Sequence, residues 1–415
     1  MSQHVADRLT APGPKRVLAI DGGGVRGMIA IGFLEEIEAV LRRRHGRNDY
    51  VLADYFDMIG GTSVGSMLAT MLALGWPVAD VHRMFCEAAP DIFRPTLGRR
   101  GLLVPKFSDR SLGKHVDRIL GTTRFEDPAF RTGLAIVTKR VDTGSPWVVY
   151  NNPNGKYWDD HVDPETGKRR VGNRHYRAAD LIRASTAAPT YFKPHEIRIH
   201  ELPGGTERPA TFVDGGISPY NDPALLLLMM AGIRGYRLGG VETVFDERGT
   251  CVTRGIPWPL GPDKLFIVSV GTGDFRFVSR DRWWKPAMLL AGESLLSMIS
   301  DTQATTLKMM QWLASPNKAW SINREVDDLR YDTLGQLLGA PQGMFSYARY
   351  NIRLDKAWLD QKLGVTHFSA RRLRQLQRLD EVCELHTYQT LSRAAAARQV
   401  TSDDFPWQFD NPKCG

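Results

Sequence analysis

An open α/β fold with a mostly parallel sheet is predicted for this chain by three observations. The apolar run Arg16-Val17-Leu18-Ala19-Ile20 enters a glycine turn and then a helical pattern. Tyr55-Phe56-Asp57-Met58-Ile59 begins a second strand, turn and helix in the same order. The apolar run 264–270 closes on Gly271-Thr272-Gly273, again a tight glycine turn at the carboxyl end of a strand. Repeated units of this kind build α/β sheets.

Continuous apolar runs mark strands covered on both faces, which is the reading of 16–20. After the turn Gly22-Gly23-Gly24-Val25-Arg26-Gly27, the residues Met28, Ile31, Leu34, Ile37, Val40 and Leu41 share one helical face, and the helix closes at His45-Gly46. In the second unit, 55–59 is the expected strand, 60–65 the turn and 67–74 the helix, stopped by Gly75 and Pro77. Strands are expected at 134–138 and 147–150, followed by a surface excursion over 151–176, rich in Gly, Asn, Pro and charge. A short helix over 178–188 ends at Pro189, and Thr211-Phe212-Val213 leads into Asp214-Gly215-Gly216 and a helix over 223–232. The α/β pattern runs to about residue 275. Beyond it, 284–315 reads as helix, 345–354 as an alternating strand, and 369–398 as one long amphipathic helix with Leu373, Leu376, Leu379, Val382 and Cys383 inward. The tail from Thr401 reads as loose. No repeat or long linker divides the chain, so the expectation is one unit: a core over 16–275, a C-terminal elaboration over 276–400 packed on it, and a tail over 401–415.

Hydrophobic residues at 42% and charged residues at 24% of 415 exclude global disorder, collagen-like repeats and disulfide-dense scaffolds. The net charge of +8 favours anionic surfaces without choosing between lipid and nucleic acid. Its clusters are Arg42-Arg43-Arg44 and Lys168-Arg169-Arg170. The first, with His45, answers a helix macrodipole, so charge assigns no nucleic-acid polymer as partner. Cys86, Cys251, Cys383 and Cys414 lack the paired short spacings of a zinc or redox site, which fits a reducing compartment. The N-terminus has no apolar signal region, and the longest apolar stretches, 67–76 and 224–233, are shorter than the ~18 residues that span a bilayer. A cytoplasmic protein without a membrane anchor is expected.

Gly61-Thr62-Ser63-Val64-Gly65 is a G-x-S-x-G sequence between a strand and a helix, the setting of a nucleophile elbow. Small flanking residues let the backbone turn sharply and present the Ser63 hydroxyl, while the helix aims its first amides at developing negative charge. The competing reading is a glycine-rich turn whose serine caps the helix. Residues 22–27 fit G-x-G-x-x-G, which suits a dinucleotide turn. That use needs an acidic residue about 20 positions on, where Arg42, Arg43, Arg44 and Gly46 stand, and it would set Asp21 beside a pyrophosphate. The other use is an oxyanion hole made by the backbone amides of Gly22, Gly23, Gly24 and Val25. Arg26 either binds a phosphate headgroup or holds the loop. A serine nucleophile also needs a base. The histidines after Asp214, His367 and His386, fall before a helix start and inside a helix, and read as structural. Asp214 follows a strand and precedes Gly215-Gly216, so it reads either as a base at the sheet edge or as the Asx residue of its own turn.

Taken together and in order, residues 21–27, 61–65 and 214–216 resemble the three signatures of the patatin-like phospholipases. Ala184-Ser185-Thr186-Ala187-Ala188-Pro189-Thr190-Tyr191-Phe192 resembles the block ahead of the family's aspartate, and Gly271-Thr272-Gly273 a later strand end. The resemblance covers about residues 17–273, and departs from many members where Asp-Gly-Gly replaces Asp-Gly-Ala. It implies a three-layer α/β/α fold and a lipid acyl hydrolase with a Ser-Asp dyad, needing neither a catalytic histidine nor a metal or other cofactor. Ser63 is then the nucleophile and Asp214 the base. The amides of Gly22, Gly23, Gly24 and Val25 form the oxyanion hole, supported by Arg26, Gly27, Gly61, Gly65, Gly215 and Gly216. The substrate is membrane phospholipid reached by peripheral, transient contact at the inner membrane surface, with the basic clusters and Trp283-Trp284 as interfacial candidates against a core-packing alternative for the tryptophans.

Rival classes are a dinucleotide-binding oxidoreductase and a catalytically silent scaffold. Some bacterial members act as membrane-degrading effectors in anti-phage signalling, switched on by a cyclic nucleotide, and this alternative role also fits. Residues 251–261 and the chain after Asp274 are then candidates for an activator site or a homo-oligomer interface, although they carry no recognisable nucleotide motif.

Overall fold

Lys15–Ile20 is buried along its whole length, because it lies inside a mixed sheet of nine strands. The computed structural model describes residues 3–94, 106–202, 209–245, 250–275, 287–318, 333–337 and 343–410. In chain order the strands are β1 Lys15–Ile20, β2 Met58–Thr62, β3 Gly133–Arg140, β4 Pro146–Tyr150, β5 His195–Ile197, β6 Ala210–Asp214, β7 Gly261–Val270, β8 Ser315–Lys318 and β9 Phe345–Tyr350. Across the sheet they run β8-β9-β7-β1-β2-β3-β6-β5, with β4 also on β3. The pairings from β8 to β3 are parallel, and those of β4, β5 and β6 are antiparallel. The expected mostly parallel α/β sheet is what the chain forms.

The main helices are α1 Gly27–His45, α2 Val64–Ala73, α3 Val78–Ile92, α4 Ala178–Ser185, α5 Ala224–Gly232, α6 Ala287–Leu313 and α7 Leu385–Gln399. Neighbouring strand residues point to opposite faces. A side chain on Gly60 would collide with Leu227 of α5, and one on Gly61 with the backbone of α2 at Gly65. These two contacts put α5 and α2 on opposite faces and give the helix, sheet, helix layering. They also correct the second unit: β2 begins at Met58 and runs through Gly60-Gly61-Thr62, residues expected to be turn. Glycine is needed inside this strand because helices close on it from both sides. Tyr55 ends a short helix, Leu52–Tyr55, and its ring packs edge-on against Phe56 and Phe405 instead of serving a strand.

Three further expectations are corrected. The sheet does not end near residue 275, since β8 and β9 extend it. The long C-terminal helix is two helices, Ala370–Leu376 and α7, separated by a segment that turns to meet the glycine loop. Residues 401–410 are packed: Phe405 and Phe409 are buried against Phe266, and Asp410 pairs with Arg44. Residues 411–415 and Trp283-Trp284 lie outside the described residues. The basic clusters are engaged, Arg42 with Glu38, Arg43 with Glu36, and Arg169 with Asp160 and Glu201. Among the described residues, no helix is long and apolar enough to cross a membrane.

Where β1, β7 and β9 end, Arg349 of β9 is buried between two carboxylates, 2.6 Å from Asp21 and 3.2 Å from Asp222. It also donates to Ser269 Oγ at 2.6 Å. Burial opposes its charge, but the two carboxylates hold the guanidinium protonated well above its ordinary range. Removing one member of such a cluster leaves uncompensated buried charge. Arg349→Met is expected to lower the unfolding free energy in a urea titration by about 3–5 kcal/mol. Arg83→Met, which breaks an exposed pair with Asp80, should cost less than about 1 kcal/mol.

Candidate active site

β3 has two edges, and their use determines the site. β4 pairs with Ala135 to Lys139, and β2 with Gly133 to Val137, so these two strands occupy opposite edges. β6 pairs with Thr138 to Arg140. Because β4 already occupies the other edge at Thr138 and Lys139, β6 lies on the β2 edge. The two strands therefore run toward each other along one edge, Thr62 ending opposite Val137 and Asp214 opposite Thr138. Ser63 and Asp214 meet at that junction, where Ser63 Oγ donates to Asp214 Oδ2 at 2.7 Å.

The turn that presents Ser63 is a single residue, with φ 53° and ψ −128°. For a residue with a Cβ this conformation costs of order 1–3 kcal/mol. Gly61 and Gly65 make it feasible: a side chain on Gly61 would strike the backbone at Gly65, and one on Gly65 the carbonyl of Ile20. Ser63 does not cap α2 through its side chain. Its carbonyl accepts from Ser66 N–H and Ser66 Oγ, and its N–H donates to Ser185 Oγ at 2.8 Å. Ser185 is buried at the end of α4 and donates in turn to Val137 O at 2.6 Å. Two residues on, Ala187 O accepts the N–H of Asp214 at 3.0 Å. One short segment therefore anchors the backbone of both residues. The sequence assigns no role to Ser185, whose only signal is its place in the block ahead of the aspartate.

Asp214 serves its own turn and Ser63 at once. Oδ1 accepts from Gly216 N–H at 2.6 Å, and Oδ2 accepts from Ser63. Gly215 packs against the Val137 carbonyl and Thr62, leaving no space for a Cβ. Desolvation pushes the Asp214 carboxyl up from 3.8 to about 6, and the hydrogen bonds from Ser63 and Gly216 limit the rise. The carboxylate can thus take a proton from Ser63 more readily than an exposed one.

The glycine loop lies beside this pair, with the Cβ position of Gly22 3.1 Å from Ser63 Cβ. Of the four amides expected to point at one oxygen, two are committed elsewhere. Gly22 N–H donates to Asn221 O at 3.0 Å and Val25 N–H to Leu379 O at 2.8 Å. The N–H groups of Gly23 and Gly24 have no protein acceptor among the described residues. Gly24 has φ +58°, and a side chain there would also strike Leu379. Thr272 Oγ1 donates to Gly22 O at 2.7 Å, a clamp whose only signal in the sequence is its place in Gly271-Thr272-Gly273. Arg26 holds the loop, donating to Gly273 O at 3.1 Å with its guanidinium over Phe275. Gly27 lets α1 approach Val64.

Ser63, Asp214 and the glycines open on a cavity of about 1050 Å³. One side is apolar, lined by Met67, Phe85, Ala89, Ile92, Phe93, Leu112 and Phe192. The remainder is mixed, carrying Ile299 and Leu307 beside Asp301, Lys308, Arg353, Asp355 and Lys356. No histidine among the described residues lines it. His367 and His386 are exposed elsewhere. Asp21, which a pyrophosphate would have to face, is fully buried against Arg349.

Residues 18–228 match the family profile described as Patatin-like phospholipase. That span contains Ser63, Asp214 and the glycine loop. Patatin group J-1 of Solanum tuberosum is 32% identical over 264 residues, covering 62% of this chain and 60% of that protein. The cGAMP-activated phospholipase of Escherichia coli (strain TW11681) is 32% identical over 220 residues, covering 52% of this chain and 55% of that protein. The chain thus spans 55–60% of the length of these curated relatives. Human GIVD cytosolic phospholipase A2 aligns in structure over 96% of this chain and 62% of its own, at 11% identity and a TM-score of 0.43.

The raised Asp214 carboxyl has a consequence for stability. A carboxyl that binds its proton more tightly when folded stabilises the fold below its unfolded pKa, and that contribution is lost as pH rises through about 6. Asn at this position does not titrate. From about pH 3.5 to about pH 7.5, the unfolding free energy of Asp214→Asn should therefore gain on wild type by about 3 kcal/mol, measured by denaturant titration at each pH.

Proposed function

The chain belongs to the patatin-like phospholipase family, and from that premise we propose that it hydrolyses the fatty-acyl esters of membrane phospholipids with Ser63 as nucleophile and Asp214 as general base. The observation that carries this reading is the 2.7 Å Ser63–Asp214 hydrogen bond, formed beside two glycine amides that have no protein acceptor among the described residues, in a cavity lined in part by apolar side chains. An acyl chain lies along the apolar side and brings its ester carbonyl to Ser63.

Ser63 Oγ attacks the carbonyl carbon while its proton passes to Asp214 Oδ2. The developing oxyanion accepts hydrogen bonds from Gly23 and Gly24 N–H, aided by the positive end of α2. Collapse breaks the ester C–O bond, and Asp214 returns its proton to the departing lysolipid alcohol. A water molecule then gives its proton to Asp214 and attacks the acyl-serine; collapse of this second intermediate restores the Ser63 hydroxyl and frees the fatty acid. Phospholipid is reached by peripheral contact with a membrane.

The similarity to a cGAMP-activated phospholipase favours one second reading, in which the same hydrolase is switched on by a cyclic nucleotide and acts as a membrane-degrading effector. A dependence of turnover on added cGAMP separates it from a constitutive enzyme.

Fatty-acid release from phosphatidylethanolamine–phosphatidylglycerol vesicles, measured with and without cGAMP, tests the proposal. Ser63→Ala and Asp214→Asn are expected to lose about 10³- to 10⁶-fold in kcat, and retention of wild-type turnover by either variant would refute the assignment. Because the ionised base is the active form, kcat/KM should rise with pH through an inflexion near 6.

A further inference from the structure

Three successive glycines are intrinsically mobile, since glycine loses more conformational freedom on ordering than any other residue. Residues 22–24 are therefore held from outside. Asn221 O takes Gly22 N–H, Thr272 Oγ1 holds Gly22 O, and Leu379 O takes Val25 N–H. The first two clamps belong to loops at the ends of the sheet. The third comes from residues 377–384, far outside the family-matched span 18–228, and it interrupts what the sequence reads as one helix.

This strap is anchored near its ends, where Glu384 pairs with Arg372 at 3.1 Å. Gln377 Nε2 donates to Leu354 O at 3.0 Å, and Tyr388 Oη donates to Leu376 O at 3.1 Å. Next to Leu379, the side chain of Asp380 is only 3% exposed, and it is paired with Lys106 and with Arg378 at 3.2 Å. Arg378 is half exposed and follows the strap. Lys106 does not itself line the cavity but is bonded to a segment that does. Its N–H donates to Thr190 O, and that of Phe107 to Tyr191 O. The Phe107 ring packs 5.7 Å from Phe93 and 5.6 Å from Phe192, and both partners line the apolar side of the cavity.

We propose that Asp380 is a positioning residue whose ion pair with Lys106 ties the wall of the apolar lobe to the Leu379 carbonyl, so that an acyl chain filling the lobe sets the glycine loop in its oxyanion-binding geometry. This rests on the hydrolase reading. The chain acts at the lobe and the loop at the reacting carbonyl, and the strap joins them as one mechanical unit. Short acyl chains, which leave Phe93 and Phe192 uncovered, gain nothing from the connection. Breaking it removes the advantage of long chains and leaves the ester-binding groups in place.

The experiment uses the full chain and a series of p-nitrophenyl esters from butyrate to dodecanoate. Wild type is compared with Asp380→Asn, Lys106→Met, their combination, and Arg378→Met, and Ser63→Ala measures the background. Both single variants should lose about 10- to 30-fold in kcat on dodecanoate, less than the cost of deleting an oxyanion donor. KM should change by less than about threefold, and the preference for dodecanoate over butyrate should vanish. The double variant should lose no more than either single one, because both remove the same link, and Arg378→Met should stay within about twofold of wild type. Lys106→Met alone decides the matter if Asp380→Asn fails to fold, since Lys106 sits at the partly exposed end of the pair. Wild-type kcat and chain-length preference in Lys106→Met, or losses that multiply in the double variant, would overturn the proposal. Wild type without Ser63-dependent turnover on any of the esters, both with and without added cGAMP, would instead overturn the hydrolase reading, and this inference with it.

Discussion

Everything at the candidate site depends on two strands sharing one edge of a third. β2 and β6 approach each other along β3 and stop on adjacent rungs, at Val137 and Thr138. Residues 151 positions apart in sequence thereby become neighbours at 2.7 Å. A parallel strand on that edge would have carried the chain past Ser63. An antiparallel strand arriving from the far side brings a carboxylate to its end, where the backbone must turn away. The turn is tightened by glycines, and Asp214 spends one oxygen on it and the other on Ser63.

Such a junction is destabilising in itself. Ser63 is held at positive φ, Asp214 is a desolvated carboxylate, and two glycine amides have no protein acceptor among the described residues. Strained conformations and unpaired polar groups persist only where the surroundings over-determine them. Here Ser185 and Ala187 anchor the backbone of both residues, and Arg349 fixes the ends of β1 and β7 through Asp21 and Ser269. Asp222, the other carboxylate on Arg349, adjoins Asn221, whose carbonyl holds Gly22. A cluster of buried charges thus reaches the glycine loop through neighbouring residues of the chain. The apolar side of the cavity adds the low-dielectric setting in which a carboxylate becomes a useful base.

Much of this architecture is legible in local sequence patterns. Continuous apolar runs locate β1 and β7, period and cap locate α1, and three glycine-bearing motifs single out Ser63, Asp214 and residues 22–27. The failures have a common cause: a distant element overrides a local signal. Gly60 and Gly61 look like turn residues and are strand, because α5 and α2 press on them from opposite faces. Leu379 fits a helical face, yet its carbonyl leaves the helix to meet Val25. Phe405 and Phe409 are isolated in a polar tail and become buried only against Tyr55 and Phe266. Ser185, Thr272 and Arg349 have no spacing that connects them to Ser63 or Gly22, so only the assembled sheet reveals their contacts. The same limit applies to the amides, since four in a row are chemically equivalent until Asn221 and Leu379 claim two.

On the proposed reading, Asp214 activates Ser63 inside an acyl-binding cavity. Phosphonylation by a long-chain alkyl fluorophosphonate reports this directly, since the reagent needs the same nucleophile and proton acceptor but no leaving lipid and no turnover. The rate should be followed against pH by mass spectrometry of the modified peptide in wild type and Asp214→Asn. A single adduct on Ser63 is expected, forming faster as pH rises through about 6, with a slow rate without that inflexion in the variant. An adduct on another residue, or identical pH profiles for the two proteins, would contradict that reading.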